Sequence, residues 1–399
     1  MRYQLLDMGR LTILVLLLGF GPLANSQAAV PHRPNWTVAL KDYGWSAPKF
    51  ESNKSFFSDF SMAKLEALDV NTRVRFVNDN LLVAYHTKQE GQEWRTAGRQ
   101  LEAFFIDAKD GKLLSLKSWP TIVRGSGSDL QDSESRLLPL SKGRFLVFAN
   151  KTMMLYGDNL ELIKQKKLDP STSGDYWSAQ SVANGEVIFL RHQSTLGQQT
   201  EYYWLASDTF SPHLQMAGPR GANSSTVATA GDNFVLATLG FADHGMTTGI
   251  GKLSVDGSAK IICSEQLCCE GGVGAISTRF VVVSGRRGVG VVDIEQGLLW
   301  SKQIPSNSNP NTFQFGGVQP AMSANEFAVW VTATQKTRFD GVQVDNSPTL
   351  FVYDTSGKLF FAVPIVRKSG NFDFALSPDG RQLAIFDGAR ISLYTVPRG

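Results

Sequence analysis

The chain has 399 residues, 42% of them hydrophobic, 19% charged and 11% aromatic, with 37 glycines and 16 prolines. That apolar content excludes a disordered chain, which lacks the surface to offset its ordering entropy, and the aperiodic Gly and Pro exclude collagen-like and low-complexity classes. A formal net charge of +3 is too mild for a nucleic-acid protein.

Residues 1–28 read as a secretory signal. Arg2 and Arg10 give a positive start, LTILVLLLGF (11–20) is the apolar stretch, and Gly21 and Pro22 break it. Ser26 and Ala28 put small residues at the −3 and −1 positions of a cut after Ala28. About ten to twelve apolar residues are too few to cross ~30 Å of hydrocarbon, so no membrane span is expected. The expectation is an exported chain, periplasmic or extracellular, with residues 29–399 as a single domain. WTVALKD (36–42) reads as a strand, and FFSDFSMAKLEALD (56–69) as a strand or a short helix.

Seven times thereafter a short polar turn precedes a run of apolar, β-prone residues. The runs are LLVAY (81–85), FLVFA (145–149), VIFL (187–190), FVLAT (234–238), FVVVS (280–284), FAVWV (327–331) and QLAIF (382–386). Leu81 and Leu383 stand 302 residues apart over six intervals, a mean period of about 50. Each run is too short for a helix and lacks alternation, which predicts a strand buried on both faces.

A second series interleaves with the first: LEAFFIDAKDGKLLSL (101–116), TMMLYGDNLELIK (152–164), YYWLASDTF (202–210), IGKLSVDGSAKII (250–262), VGVVDIEQGLLW (289–300) and LFVYDTSGKLFF (350–361). Each reads strand, Asp- or Gly-bearing turn, strand. Upstream of the buried runs lie strands of small residues, SAQSVA (178–183), TVATA (226–230) and GVGAIS (272–277), suited to strands converging on an axis. Four strands per repeat, seven times, predict an all-β, seven-bladed β-propeller. The last repeat, FDFALSPDGRQLAIFDGARISLYTVP (372–397), supplies three strands. The N-terminal strand is expected to complete it and close the ring. If 36–70 formed a blade of its own, the count would be eight.

SPDGRQLAIF (377–386) resembles the turn and strand of WD-type propeller repeats. IDAKDGKLL (106–114) and VDIEQGLLW (292–300) are similar to pyrroloquinoline-quinone-type repeats, whose pattern is Asp, three residues, Gly, then Trp. Trp300 arrives one residue early, and Ser115 stands where the first blade would carry Trp. As a whole the chain resembles secreted propeller proteins without an assigned activity. The resemblance implies a fold, and not a chemistry.

Loop lengths then separate the two rims. Turns joining the first and second, and the third and fourth, strands of each blade are tight. The other rim carries long insertions at 86–100, 191–200, 241–249 and 333–348 within blades, and at 120–135, 211–224, 264–271 and 305–317 between them. Long loops on a rigid frame commonly carry binding. The ligand-binding candidates on that rim are His86, Arg95, His192, Asp243, His244, Arg286, Arg287, Arg338 and Asp340. The arginines suit a carboxylate, phosphate or acidic sugar. Of the histidines only His192 and His244 sit on neighbouring blades, and exposed loop histidines without a metal are the expectation. Cys263, Cys268 and Cys269 lie together, and export permits one bridge, from Cys263 to Cys268 or Cys269.

The chain has no P-loop, H-E-x-x-H, G-x-S-x-G or C-x-x-C motif. The basic run KQKK (164–167) is expected on an outermost strand, where lysines keep a sheet edge from pairing with another chain. The sequence therefore favours a non-catalytic exported propeller that uses no cofactor. Its long-loop rim would bind a protein partner or an anionic small-molecule or glycan ligand, and no nucleic acid. The alternatives are a hydrolase or lyase at the same rim, with His192 or His244 as base, and a quinoprotein-type dehydrogenase, to whose adjacent-cysteine bridge Cys268–Cys269 is similar.

Overall fold

A computed structural model describes residues 32–45, 72–90, 98–121, 136–168, 176–182, 185–193, 200–217, 226–228, 234–241, 247–254, 259–263, 273–275, 277, 279–285, 288–304, 312–321, 325–366 and 372–398. The strands, in chain order, begin with β1 (Trp36–Ala39). Sheet 1 holds β2 to β5 (Arg73–Asn78, Leu81–Glu90, Gly98–Asp107, Leu113–Pro120), and sheet 2 holds β6 to β9 (Arg136–Pro139, Phe145–Ala149, Thr152–Tyr156, Leu162–Lys167). Sheet 3 holds β10 to β13 (Tyr176–Val182, Val187–Gln193, Thr200–Ala206, Pro212–Ala217), and sheet 4 β14 to β17 (Thr226–Ala228, Phe234–Phe241, Thr247–Ser254, Ala259–Cys263). Sheet 5 holds β18 to β21 (Val273–Ala275, Phe280–Gly285, Gly288–Asp293, Gly297–Gln303). In sheet 6, β22 and β23 (Phe313–Pro320, Glu326–Ala333) are followed by a two-stranded ribbon, β24 and β25 (Thr337–Phe339, Val342–Val344), before β26 and β27 (Thr349–Asp354, Leu359–Pro364) complete the sheet. Sheet 7 joins β28 to β30 (Asp373–Leu376, Gln382–Phe386, Arg390–Thr395) to β1.

The described residues thus form seven four-stranded antiparallel sheets, and each apolar run is the second strand of one of them. The runs lack alternation because both their faces are covered. In β3, Leu82 and Ala84 pack toward sheet 7 with Ala384 and Phe386, while Leu81, Val83 and Tyr85 pack toward sheet 2 with Phe145 and Val147. Similar clusters fill the spaces between sheets 2 and 3, 5 and 6, and 6 and 7. The first strands of successive sheets meet, β28 with β2, β2 with β6 and β6 with β10, then β14 with β18, β18 with β22 and β22 with β28. They ring a common axis, with the fourth strands outermost. This is a β-propeller. Small residues stand where the strands converge: a Cβ on Gly274 of β18 would lie 2.7 Å from Val318 Cγ1 of β22.

The N-terminal strand enters sheet 7 as its outermost member, with Trp36 opposite Leu393 and Ala39 opposite Arg390. An additional blade over 36–70 is thereby overturned, because the one described strand of that segment is spent on closing sheet 7. The strand also ends earlier than WTVALKD suggests. Leu40 turns inward and is fully buried, and Leu40–Tyr43 form a 3-10 turn that ends on Gly44. Residues 56–69 and the signal-like segment lie outside the described residues. Among the described residues no helix is long and apolar enough to cross a membrane.

Asp and Gly set the outer turns as their chemistry predicts. Asp107 Oδ1 accepts the Lys109 N–H at 2.8 Å, Asp293 Oδ1 the Glu295 N–H at 2.9 Å, and Asp354 Oδ1 the Ser356 N–H at 2.8 Å. Each is an Asx turn closed by a glycine at positive φ: Gly111, Gly297 or Gly357.

Candidate functional site

One rim is elaborated, and strand pairing shows how. In sheet 1, β2 accompanies β3 only as far as Tyr85, and β5 accompanies β4 only as far as Gln100. The β3–β4 pairing nevertheless runs on to Glu90 opposite Gly98. In sheet 4 the pairing of Leu239–Phe241 with Thr247–Gly249 likewise outruns β14 and β17. In sheet 6 the β24–β25 ribbon occupies the same connection. All three lie between second and third strands, so they project from one rim. The expected loops 86–100, 241–249 and 333–348 are therefore in good part paired ribbon. The expected loop 211–224 also contains a strand, β13, and β22 begins within the expected loop 305–317.

The sheet 6 ribbon is anchored by its apolar face. Phe339 and Val344 are buried, and the Phe339 ring meets Phe315 edge-on at 5.1 Å and Phe351 at 5.5 Å. Strand alternation then turns the Arg338–Gln343 cross-strand pair out to solvent, with Lys336 exposed beside it. Asp340, at φ 47°, is not a free rim carboxylate. Its Oδ1 accepts from Lys302 Nζ at 2.9 Å, which ties the ribbon to the outer strand of sheet 5. Burial, and then the Asp340 charge, raises the Tyr353 hydroxyl far above the ordinary tyrosine range.

His86 and His192 are not loop residues. Each sits on a second strand directly opposite a glutamate, His86 across from Glu102 and His192 across from Glu201. His86 is only 5% exposed, its ring stacked on Phe104 at 5.9 Å and edge-on to Trp45 at 6.3 Å. Its Nε2 lies 3.4 Å from Glu102 Oε2, and Lys88 Nζ approaches Glu102 Oε1 at 3.5 Å. Burial, and then the Lys88 ammonium, lowers the His86 pKa to about 4. The expectation of an exposed ligand-binding imidazole is overturned here, because the strand continues past the apolar run and turns the ring into the space between sheets 7 and 1. In sheet 3, Glu201 Oε2 lies 3.1 Å from His192 Nδ1 and accepts the Tyr203 hydroxyl at 2.6 Å. Burial, followed by the hydrogen bond and charge of Glu201, raises that hydroxyl well above its usual range.

The structure thus separates the candidates. His86 and His192 belong to sheets 1 and 3 with sheet 2 between them, Arg338 is exposed on the sheet 6 ribbon, and Asp340 braces that ribbon. Arg95, Asp243, His244, Arg286, Arg287, Cys268 and Cys269 lie outside the described residues, and Cys263 ends β17. Glu102, Glu201, Tyr203 and Lys302 were missed by sequence reasoning. The one signal for the glutamates was the shared order of apolar run, His, turn and Glu in 81–102 and 187–201.

The fold defines a β-propeller, and solved WD40 domains are among the structures it resembles. The chain is similar to the WD40 domain of Neurospora crassa Pan2 at 9% identity, with 93% of this chain and 98% of that one covered and a TM-score of 0.50. It is also similar to the β-propeller domain of Cps50 (Swd1) from Myceliophteria thermophila, at 14% identity, coverage of 82% and 97%, and a TM-score of 0.46. The WD40 domain of SCAP from fission yeast gives 11% identity, coverage of 82% and 95%, and a TM-score of 0.41. No protein-family model and no curated protein matches the chain. At such identities the likeness speaks for fold alone.

Proposed function

We propose that this chain is an exported, non-catalytic propeller of seven blades that binds a protein partner, or an anionic ligand, through the rim bearing the projecting ribbons. One observation carries the reading. Three second-to-third-strand connections extend beyond their sheets on one rim, whereas the third-to-fourth-strand connections at 108–112, 157–161, 207–211, 294–296 and 355–358 are short turns. The number of four-stranded sheets supports a count of seven. WD40-type propellers are typically interaction scaffolds, which agrees with the reading. The exposed cations Lys88, Lys336 and Arg338 on that rim favour an acidic surface or ligand. Export rests on residues 1–28, and N-terminal sequencing of the protein from its own cells tests it by a cut after Ala28.

The binding reading is tested with a photo-crosslinking residue at Arg338, compared with one at Arg381 on the first-to-second-strand turn of the opposite rim. A discrete adduct from position 338, absent at 381, is expected. Adducts at 381 alone would place the working surface on the other side.

A further inference from the structure

The innermost strands carry few charges, and those few are gathered in one place. Among the described residues the first strands of the seven sheets hold three arginines, Arg73 and Arg75 on β2 and Arg136 on β6, and one acid, Asp373 on β28. All four stand within the first three residues of their strands, at the end that opens on the ribbon-bearing rim. The three strands are neighbours around the axis, β28 beside β2 and β2 beside β6. Val74 and Phe76 pack toward sheet 7, so alternation sets Arg73 and Arg75 on the other face of β2. The Arg75 guanidinium nevertheless reaches Asp373 of sheet 7 at 2.7 Å, and the Val74 carbonyl, through Nη1 alone. It thus crosses the edge of β2 that no strand pairs, the edge facing the axis. Its Nε and Nη2, the side of the fork that can grip an oxyanion through two parallel bonds, have no partner among the described residues, and the side chain is 20% exposed. Arg73 and Arg136 are engaged in contacts of their own and contribute positive field.

We infer that this end of the axis is an anion subsite for a small ligand bearing two or more carboxylate or phosphate groups. One group would lie on the open Nε–Nη2 side of Arg75, and another in the field of Arg73 and Arg136. Asp373 offsets only one of the three positive charges. By holding Nη1 it also fixes the guanidinium, so that the open side is presented without the ordering cost of a free arginine. Ring building does not call for these charges, since β10, β14, β18 and β22 form their part of the ring with no charged side chain. The inference rests on the reading of the ribbon-bearing rim as the binding face, and names the ligand class at its centre. A carboxylate could also arrive on a partner's acidic segment, and the test separates that source from a free ligand.

The test uses the full chain and isothermal titration, at low ionic strength, with citrate, inorganic phosphate and a hexaglutamate peptide. Citrate is expected to bind with a Kd below about 1 mM, and phosphate more weakly and in competition with it. Arg75→Lys keeps the charge but loses the planar fork, and should weaken citrate about tenfold. Arg73→Ser leaves the Arg75–Asp373 bridge in place, so it keeps the test readable if Arg75→Lys fails to fold; it should weaken citrate about threefold. Arg381→Ser, on the opposite rim, should leave citrate binding unchanged. Absence of citrate binding, or equal weakening by Arg381→Ser and Arg75→Lys, overturns the inference, and does so whether or not position 338 gives its adduct. Hexaglutamate that binds through Arg75 more tightly than citrate overturns the small ligand and assigns the subsite to an acidic partner segment.

Discussion

Trp36 of the closing strand donates its indole N–H to the carbonyl of Ala108, at 2.9 Å, in the third-to-fourth-strand turn of sheet 1. Three other outer strands repeat the gesture toward the next sheet: Lys117 to Leu160 O at 2.9 Å, Lys164 to Thr209 O at 2.6 Å and Trp300 to Thr355 O at 2.7 Å. These contacts act as latches between sheets at the periphery, far from the axis. At Trp36 the latch also helps to hold the ring shut. Trp36→Ala should cost about 2–3 kcal/mol, combining lost apolar contact with a lost hydrogen bond, and Trp36→Phe about 1 kcal/mol. Urea unfolding measures both; a closing strand that contributes nothing would leave the two variants at wild-type stability.

The same latch makes Gly111 intolerant of a side chain. Its φ is +77°, and a Cβ there would meet Trp36 Cδ2 and Cε3 and Val38 Cγ1 at 3.0 Å. Gly111→Ala should therefore lose about 2 kcal/mol, roughly half from the left-handed backbone and half from crowding. In a Trp36→Ala background the crowding partly disappears, so the pair should be non-additive by about 0.5–1 kcal/mol. Strict additivity in a double-mutant cycle would sever the proposed link.

These features show where the sequence was informative. The seven runs mark the second strands because burial on both faces suppresses alternation, a purely local property. The Asp and Gly turns are local too, and so were found. Sheet 3's fourth strand, PHLQMA (212–217), was hidden because an outermost strand has little reason to be apolar. The sequence predicts a loop at His86 because the apolar run ends at Tyr85; β3 continues five residues further, and only the register opposite Glu102 shows it. The KQKK run reads as an edge guard, and β9 is indeed outermost, yet Lys164 also latches onto sheet 3, a contact fixed by three-dimensional neighbourhood.

At the axis, Asp373 of β28 bridges the last sheet to the first. Its Oδ2 accepts the Val74 N–H at 2.8 Å and Arg75 Nη1 at 2.7 Å, and the residue is 7% exposed. Asp373→Ala leaves the buried Val74 N–H without its acceptor and takes the carboxylate from Arg75, whose Nη1 keeps only the Val74 carbonyl, and should cost about 2–3 kcal/mol, whereas Arg75→Ala keeps the carboxylate on Val74 and should cost about 1 kcal/mol. Reversal of that order in chemical unfolding would mean that the ion pair, and not the capped strand edge, joins the two sheets.

His86 makes stability depend on acidity in a defined window. Its folded pKa, about 4, lies below the unfolded value near 6.5, so between these pH values the unfolded chain binds a proton that the native one refuses. Stability is thus full above pH ~6.5 and falls as the pH drops toward 4, by an amount on the order of 3 kcal/mol from this residue. The cause is the apolar setting between Trp45 and Phe104, and Lys88 adds to it. His86→Gln removes the titrating group, so its unfolding free energy should vary less over that window, by close to one proton's worth of slope. Parallel pH profiles for the variant and wild type would show that the imidazole charges freely in the native state, and that the space between sheets 7 and 1 admits water.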